Sequence, residues 1–156
     1  MIRLFTLLLL LVGTATYSQT ETTYESALGV KISAGRALTY KRFVTPTNAI
    51  EVQTMFFKKG IRLIGLYEFH FYNIDGVDGL GWYVGPGAHV GFYFARYKPD
   101  YNTVIDLGID GVLGLEYRVK NTRLNISADW QPSFSLLGKS GIQPQFGGLG
   151  LRYILD

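Results

Sequence analysis

"VIDLGIDGVLGLEYRVK", residues 104–120, decides the fold. Asp106, Gly108, Asp110, Val112, Gly114, Glu116, Arg118 and Lys120 fall on one face, and Ile105, Leu107, Ile109, Gly111, Leu113, Leu115, Tyr117 and Val119 on the other. Strict period-2 alternation marks a strand with two unlike faces. Strands usually run about 5 to 6 residues, and this one alternates for 17. Which face meets water determines the class of protein.

Working outward, the same pattern recurs. "SALGVKISAG" sets Leu28, Val30 and Ile32 against Lys31 and Ser33, and "LTYKRFV" follows after a very tight link, "GRA". "TPTN" at 45–48 is a turn, because Pro46 fixes its backbone and Asn48 tolerates turn geometry. "AIEVQTMFF" opposes Ile50, Val52 and Phe56 to Glu51 and Gln53, and "IRLIGLYEFHFYN" opposes Leu63, Tyr67, Phe69 and Phe71 to Arg62, Glu68, His70 and Tyr72. "LGWYVGPGAHVGFYFARY" alternates Trp82, Val84, Ala88, Val90, Phe92 and Phe94 with Tyr83, Gly85, Gly87, His89, Gly91 and Tyr93. "RLNISADWQPSFSL" puts Asn125, Ser127, Asp129, Gln131, Ser133 and Ser135 on one side. "KSGIQPQ" reads as a loop, and "FGGLGLRYIL" as the last strand. Eight strands result, with no helical periodicity, no repeat beyond the hairpin rhythm and no dividing linker.

The chain of 156 residues is one domain after a leader. "MIRLFTLLLLLVGTATYSQT" has Arg3, an apolar run from Leu4 to Val12 and a small-residue exit, the parts of a secretory signal peptide. Cleavage is expected after Ser18, giving a leader of 1–18 and a mature domain of 19–156. This run of nine residues, Thr6 among them, is too short for a spanning helix, which needs about 20. There is no cysteine, so the exported fold does not rely on disulfides. Losing Arg3 leaves 14 Lys and Arg against 12 acids, too slight an excess to point to nucleic acid.

Composition then chooses the wet face. Apolar residues make up 47% and aromatics 15%, while charged residues reach only 17%, against a usual ~25%. In a soluble lipocalin-like barrel the polar faces would be the exterior, yet they carry many glycines, among them Gly29, Gly85, Gly87, Gly91, Gly108, Gly114 and Gly150. Glycine weakens an exposed strand and suits places where backbones or side chains crowd. The aromatics Trp82, Phe92, Phe94, Trp130, Phe134 and Tyr153 would have to fit a lumen that eight strands' side chains already fill. Inverted, lipid takes the bulky faces, closure satisfies every backbone group, and Tyr and Trp toward strand ends form interfacial girdles. The reading is all-β: an eight-stranded antiparallel up-and-down transmembrane β-barrel.

"LTYKRFV", "GLYEFHF", "GWYVGPGAHVGFY", "IDGVLGLEYRVKNTRLNISADWQPSF" and "GGLGLRYIL" resemble the small outer-membrane β-barrel proteins of Bacteroidetes-type bacteria, in the class of OmpA/OmpX-like eight-stranded barrels. The resemblance implies an outer-membrane location and fold, and no substrate. The last strand also resembles the signal by which such barrels meet the assembly machinery: Gly150, Tyr153 and Leu155 fit it, without the terminal aromatic. A monomer is expected, with membrane lipid and lipopolysaccharide as its surroundings.

The inward face collects Lys31, Lys41, Arg62, Arg118 and Arg152 with Glu51, Glu68, Asp106, Asp110, Glu116 and Asp129. Charges buried in a narrow barrel must be paired, so these are expected to plug the lumen; a water-filled channel normally takes about 16 strands. Cations such as Arg62 or Lys31 are the expected partners of Asp106, Asp110 and Glu116. His70 and His89 share the inward parity and could pair with each other. Without cysteine or a short ligand motif a metal is not expected, nor a cofactor. A lipid-A-modifying enzyme would need a Ser beside one of these His in space, and a narrow pore remains the other alternative. If the mature N-terminus is periplasmic, the loop bases Arg36, Lys58, Lys59, Lys98 and Lys139 are either ordinary solvated turn residues, the favoured reading, or partners of lipopolysaccharide phosphates. Asp75 and Asp78 of "IDGVDG" are first of all turn residues.

Overall fold

The computed structural model describes residues 24–58, 60–72, 74, 76–94, 105–137 and 141–155, with the side chains of 141–146 excepted. The expected leader 1–18, the junction to residue 23, Asp75, Lys59, Lys98 and Lys139 lie outside the described residues.

Eight antiparallel strands close in sequence order: β1 Ser26–Ile32, β2 Arg36–Phe43, β3 Asn48–Phe57, β4 Gly60–Phe71, β5 Leu80–Tyr93, β6 Ile105–Arg118, β7 Leu124–Leu137 and β8 Gly141–Ile154. Closure needs strand tilt, and the register supplies it. Partners of Leu28 followed through Tyr40, Val52, Gly65, Ala88, Ile109 and Phe134 arrive at Ile142, whereas Leu28 faces Tyr153 directly. Such a stagger is what tilts the strands of a closed barrel. The near rim holds Ser26, Ile154 and the turns after β2, β4 and β6; the far rim holds the C-terminal ends of β1, β3, β5 and β7.

The alternation resolves as apolar out and polar in. Leu149 is 66% exposed and Leu115 is 52% exposed, while Lys41 and Glu51 are fully buried and Arg62 and Arg152 are each 1% exposed. Outward rings stand toward both rims: near one, Tyr67 meets Phe69 edge-on and Phe71 stacks on Trp82 at 4.2 Å, and near the other Phe56, Phe92 and Phe94 are exposed. Trp130 departs from the girdle expectation, being exposed at the middle of β7.

Several boundaries differ from the sequence reading: the alternation of 104–120 forms a strand only over Ile105–Arg118, with Lys120 in the turn that follows, and two strand starts move as well. Arg36 begins β2, because the tight turn is closed one step earlier by Ser33 donating to the Gly35 carbonyl at 2.9 Å. β8 starts at Gly141, inside the stretch read as the loop "KSGIQPQ". Its proline and glycine resemble a loop in sequence, but among the described residues that part of β8 pairs with β7 alone, and a strand lacking one neighbour tolerates proline. Pro132 in turn falls where the β7–β8 register shifts, between Gln131 and Ser133. Gly76 and Gly79 hold φ of 90° and 86° in the β4–β5 link, the turn role expected of "IDGVDG". Asp78 there pairs with Lys120 at 3.0 Å across the near rim.

Candidate functional site

The inward side chains stack in layers along the barrel axis. At the near rim, Lys41 of β2 places its ammonium 2.7 Å from Glu68, 3.2 Å from Glu51 and 3.4 Å from Glu116. Its Nζ also lies 4.2 Å from the centroid of the Tyr83 ring, whose π face favours a cation. Arg152 of β8 donates from Nη2 to both oxygens of Glu51 at 2.8 Å, from Nη1 to Ser127 at 2.7 Å and from Nε to Thr39 at 3.2 Å. His70 lies between two carboxylates, with Nε2 2.9 Å from Glu68 and Nδ1 3.3 Å from Glu116. Tyr24 and Tyr72 donate their hydroxyls to Glu116. Beneath, Tyr24, Ala27, Phe43, Ala49 and Ile154 form an apolar floor.

Above this network Lys31 pairs with Asp129 at 2.5 Å, and the Tyr83 hydroxyl donates to the same carboxylate at 2.9 Å. Gly114 makes the second contact possible: a Cβ there would stand 2.5 Å from Tyr83 Cζ and 2.7 Å from Asp129 Cβ. An apolar layer follows, built from Ala37, Met55, Ile64, Leu66 and Val112. The far network then begins with Arg62, which donates to Asp106 at 2.7 Å, to Ser133 at 3.4 Å and to Tyr93 at 3.3 Å. His89 crosses over Gly108, with Nδ1 2.9 Å from Asp110 and Nε2 3.5 Å from Asp106.

Several expectations therefore need amending. Arg118 does not join the lumen network: it ends β6 half-buried at the near rim, where its backbone N–H donates to Gly79. Of the three acids in the opening stretch, Asp106 takes Arg62, but Glu116 takes Lys41 and His70, and Asp110 takes His89. Lys31 goes instead to Asp129. Strand tilt is the reason, since it brings residues of quite different strand position to one height. The same tilt separates His70 and His89 into different networks, so they form no pair. Arg36 is a strand residue on the outward face, and Lys58 is exposed at the far rim.

The sequence reading did not single out the inward phenols and amides as site residues. Tyr24, Tyr72, Tyr83, Tyr93, Gln53 and Gln131 complete the carboxylate shells or pack among them. The signal was available for the strand residues: each is an even number of positions from an inward charge. The apolar layers carry the same parity, and alternation by polarity alone hides them.

Chemically, the arrangement pairs charge with charge or with a hydrogen-bond partner. The described lumen holds six carboxylates, the four cations Lys31, Lys41, Arg62 and Arg152, and two imidazoles each set between two of those carboxylates. Among the described residues, no group of three or more His, Cys, Asp or Glu is arranged to hold a metal ion.

Comparison with protein-family models and with curated proteins gives no match. Among solved structures, the crystal structure of the N-terminal β-barrel domain of Pseudomonas aeruginosa OprF is similar, with a TM-score of 0.58 at 17% identity over 82% of this chain and 93% of that one. The closed eight-stranded antiparallel barrel of this chain thus shares its fold with that β-barrel domain.

Proposed function

We propose that the protein is an integral outer-membrane barrel, delivered by the 1–18 leader, whose plugged lumen gives it a structural or surface-interaction role and no catalytic one. The observation that carries this reading is the outer face. Leu28, Val30, Leu38, Val52, Leu63, Val84, Leu113, Leu115, Ile126 and Leu151 are all exposed on it, on every strand, while the described strand charges lie inside, Arg36 and Arg42 of β2 and Arg118 at the rim apart. In water that surface would far exceed the few hundred Å² of contiguous apolar patch that monomers usually expose. In a bilayer it is the required solvent-facing surface, and a closed sheet leaves few backbone groups to satisfy. Membrane lipid and lipopolysaccharide are its surroundings in this reading, and the barrel-assembly machinery its partner during insertion.

Against a pore stands the layering: the apolar layer at Met55, Ile64, Leu66 and Val112 separates the two charge networks. Against hydrolytic chemistry stands the use of the imidazoles, which are both turned inward onto carboxylates. Membrane fractionation with heat-modifiable gel migration tests the central claim. The expected result is a membrane-bound chain whose unboiled form migrates apart from the boiled one. A chain recovered in the soluble fraction and indifferent to boiling overturns it. Planar-bilayer recording of the inserted barrel is expected to show no steady conductance.

A further inference from the structure

The wall of the barrel is uneven. β5, β6, β7 and β8 each have 14 residues, whereas β1 has 7 and β2 has 8. β1 pairs with β8 only from Ala27 opposite Ile154 to Ile32 opposite Leu149. Beyond that point the β1–β2 chain turns back at Ser33–Gly35, and Gly141–Gly147 of β8 pair with β7 alone among the described residues. A notch in the far half of the wall results, with the unpaired backbone edge of β8 on one side and the β3–β4 hairpin on the other.

Resting on the membrane reading above, this notch is a physical problem. Unpaired N–H and C=O groups of a strand edge are not tolerated against hydrocarbon, each costing several kcal/mol. The residues at its base indicate what lies there instead. Arg36 begins β2 on the outward face, in register between Ile32 and Phe56, and it is exposed. Arg42, on the same face at the other end of β2, has Glu25 at 3.2 Å, but no described carboxylate is within ion-pair reach of Arg36. Lys58, also exposed, follows β3 at the rim of the notch. Around and below Arg36 the outward face presents large apolar side chains, with Ile32 69%, Leu38 55% and Phe56 46% exposed.

We infer that the notch seats the headgroup of one lipopolysaccharide-type glycolipid. A sugar phosphate brings its anion to Arg36 and Lys58 and its amide and hydroxyl groups to the free edge of β8. Its acyl chains run down over Ile32, Leu38 and Phe56. From β2 to β8 is two strand spacings, about 10 Å, a span for a headgroup of sugar size. A single phospholipid phosphate would meet the bases and leave the strand edge without partners.

The test uses the full-length mature barrel in detergent micelles, with diphosphoryl lipid A, monophosphoryl lipid A and phosphatidylglycerol as probes, and binding read by native mass spectrometry. Diphosphoryl lipid A is expected to bind more tightly than phosphatidylglycerol. Arg36→Gln should weaken it about tenfold, as expected for losing one charge-assisted hydrogen bond, while Arg42→Gln leaves it unchanged. Amide exchange in residues 141–147 is expected to slow when lipid A is added. Equal binding of phosphatidylglycerol, an unaffected Arg36→Gln, or unaltered exchange at the β8 edge overturns the site. Heat-modifiable migration separates the two claims. An inserted barrel that ignores lipid A removes the site and leaves the membrane reading intact, whereas a chain that never inserts removes both.

Discussion

Nη2 of Arg152 lies 2.8 Å from both carboxylate oxygens of Glu51, a residue 101 positions earlier in the chain, so one ion pair spans the lumen from β8 to β3. Neither group is exposed, and among the described residues Arg152 has no other carboxylate within ion-pair distance. Removing one partner of a buried pair leaves the other uncompensated and costs about 3–5 kcal/mol. Glu51→Gln is therefore expected to lower the urea midpoint of the folded barrel markedly. Glu51→Leu combined with Arg152→Met should cost less than the sum of the two single changes. A double-mutant cycle read by the fraction of heat-modifiable protein checks both.

Lys41 serves three carboxylates, and its loss should be felt at each. Lys41→Met is expected to destabilise more than Lys31→Met, because Lys31 leaves one acid that Tyr83 still contacts. Denaturant midpoints of the two variants decide the order.

Glycines in the lumen wall divide by what stands over them. Gly114→Ala drives a Cβ into the Tyr83 ring and the Asp129 side chain, and the Tyr83 hydroxyl is expected to leave Asp129. Gly65→Ala, on the outward face, meets nothing within 4 Å and should be neutral or mildly stabilising. Thermal unfolding of the two variants is expected to separate them clearly.

The outer face supplies a depth-dependent test. Leu113→Arg, in the middle of β6, is expected to cost about 2–4 kcal/mol in a bilayer, and a similar change near a rim about 1 or less. Equal, negligible costs at both depths would remove lipid as the solvent of that face. Folding titrations in phospholipid vesicles measure the difference.

Much of this fold was legible because period 2 is robust: inward Lys31, Lys41, Glu51, Arg62, Glu68, Asp106, Glu116 and Arg152 all follow from parity. Parity says which side a residue faces and nothing about its height. Height depends on strand tilt and on register shifts such as that at Pro132, which arise from closure of the whole barrel. That is why the inward set could be written down while the partners of Glu116 and Asp129 could not. Arg118 failed for a related reason, since its parity is inward but the strand ends beneath the network. The start of β8 was hidden because proline and glycine in an edge segment carry the same signature as a loop.

The short junction of β1 with β8 has a mechanical consequence. A barrel is a sheet bent into a hoop, and its first and last strands meet here only between Ala27 and Ile32, whereas β5 and β6 pair from Leu80 to Phe92. The hoop is narrowest at its own buckle. Lys31 on β1 reaches Asp129 on β7, and Arg152 on β8 reaches Thr39 on β2 and Glu51 on β3, so each of these bonds bridges the seam from within. The interior charges thus act as rivets, and a barrel stripped of them should first come unfastened along that line.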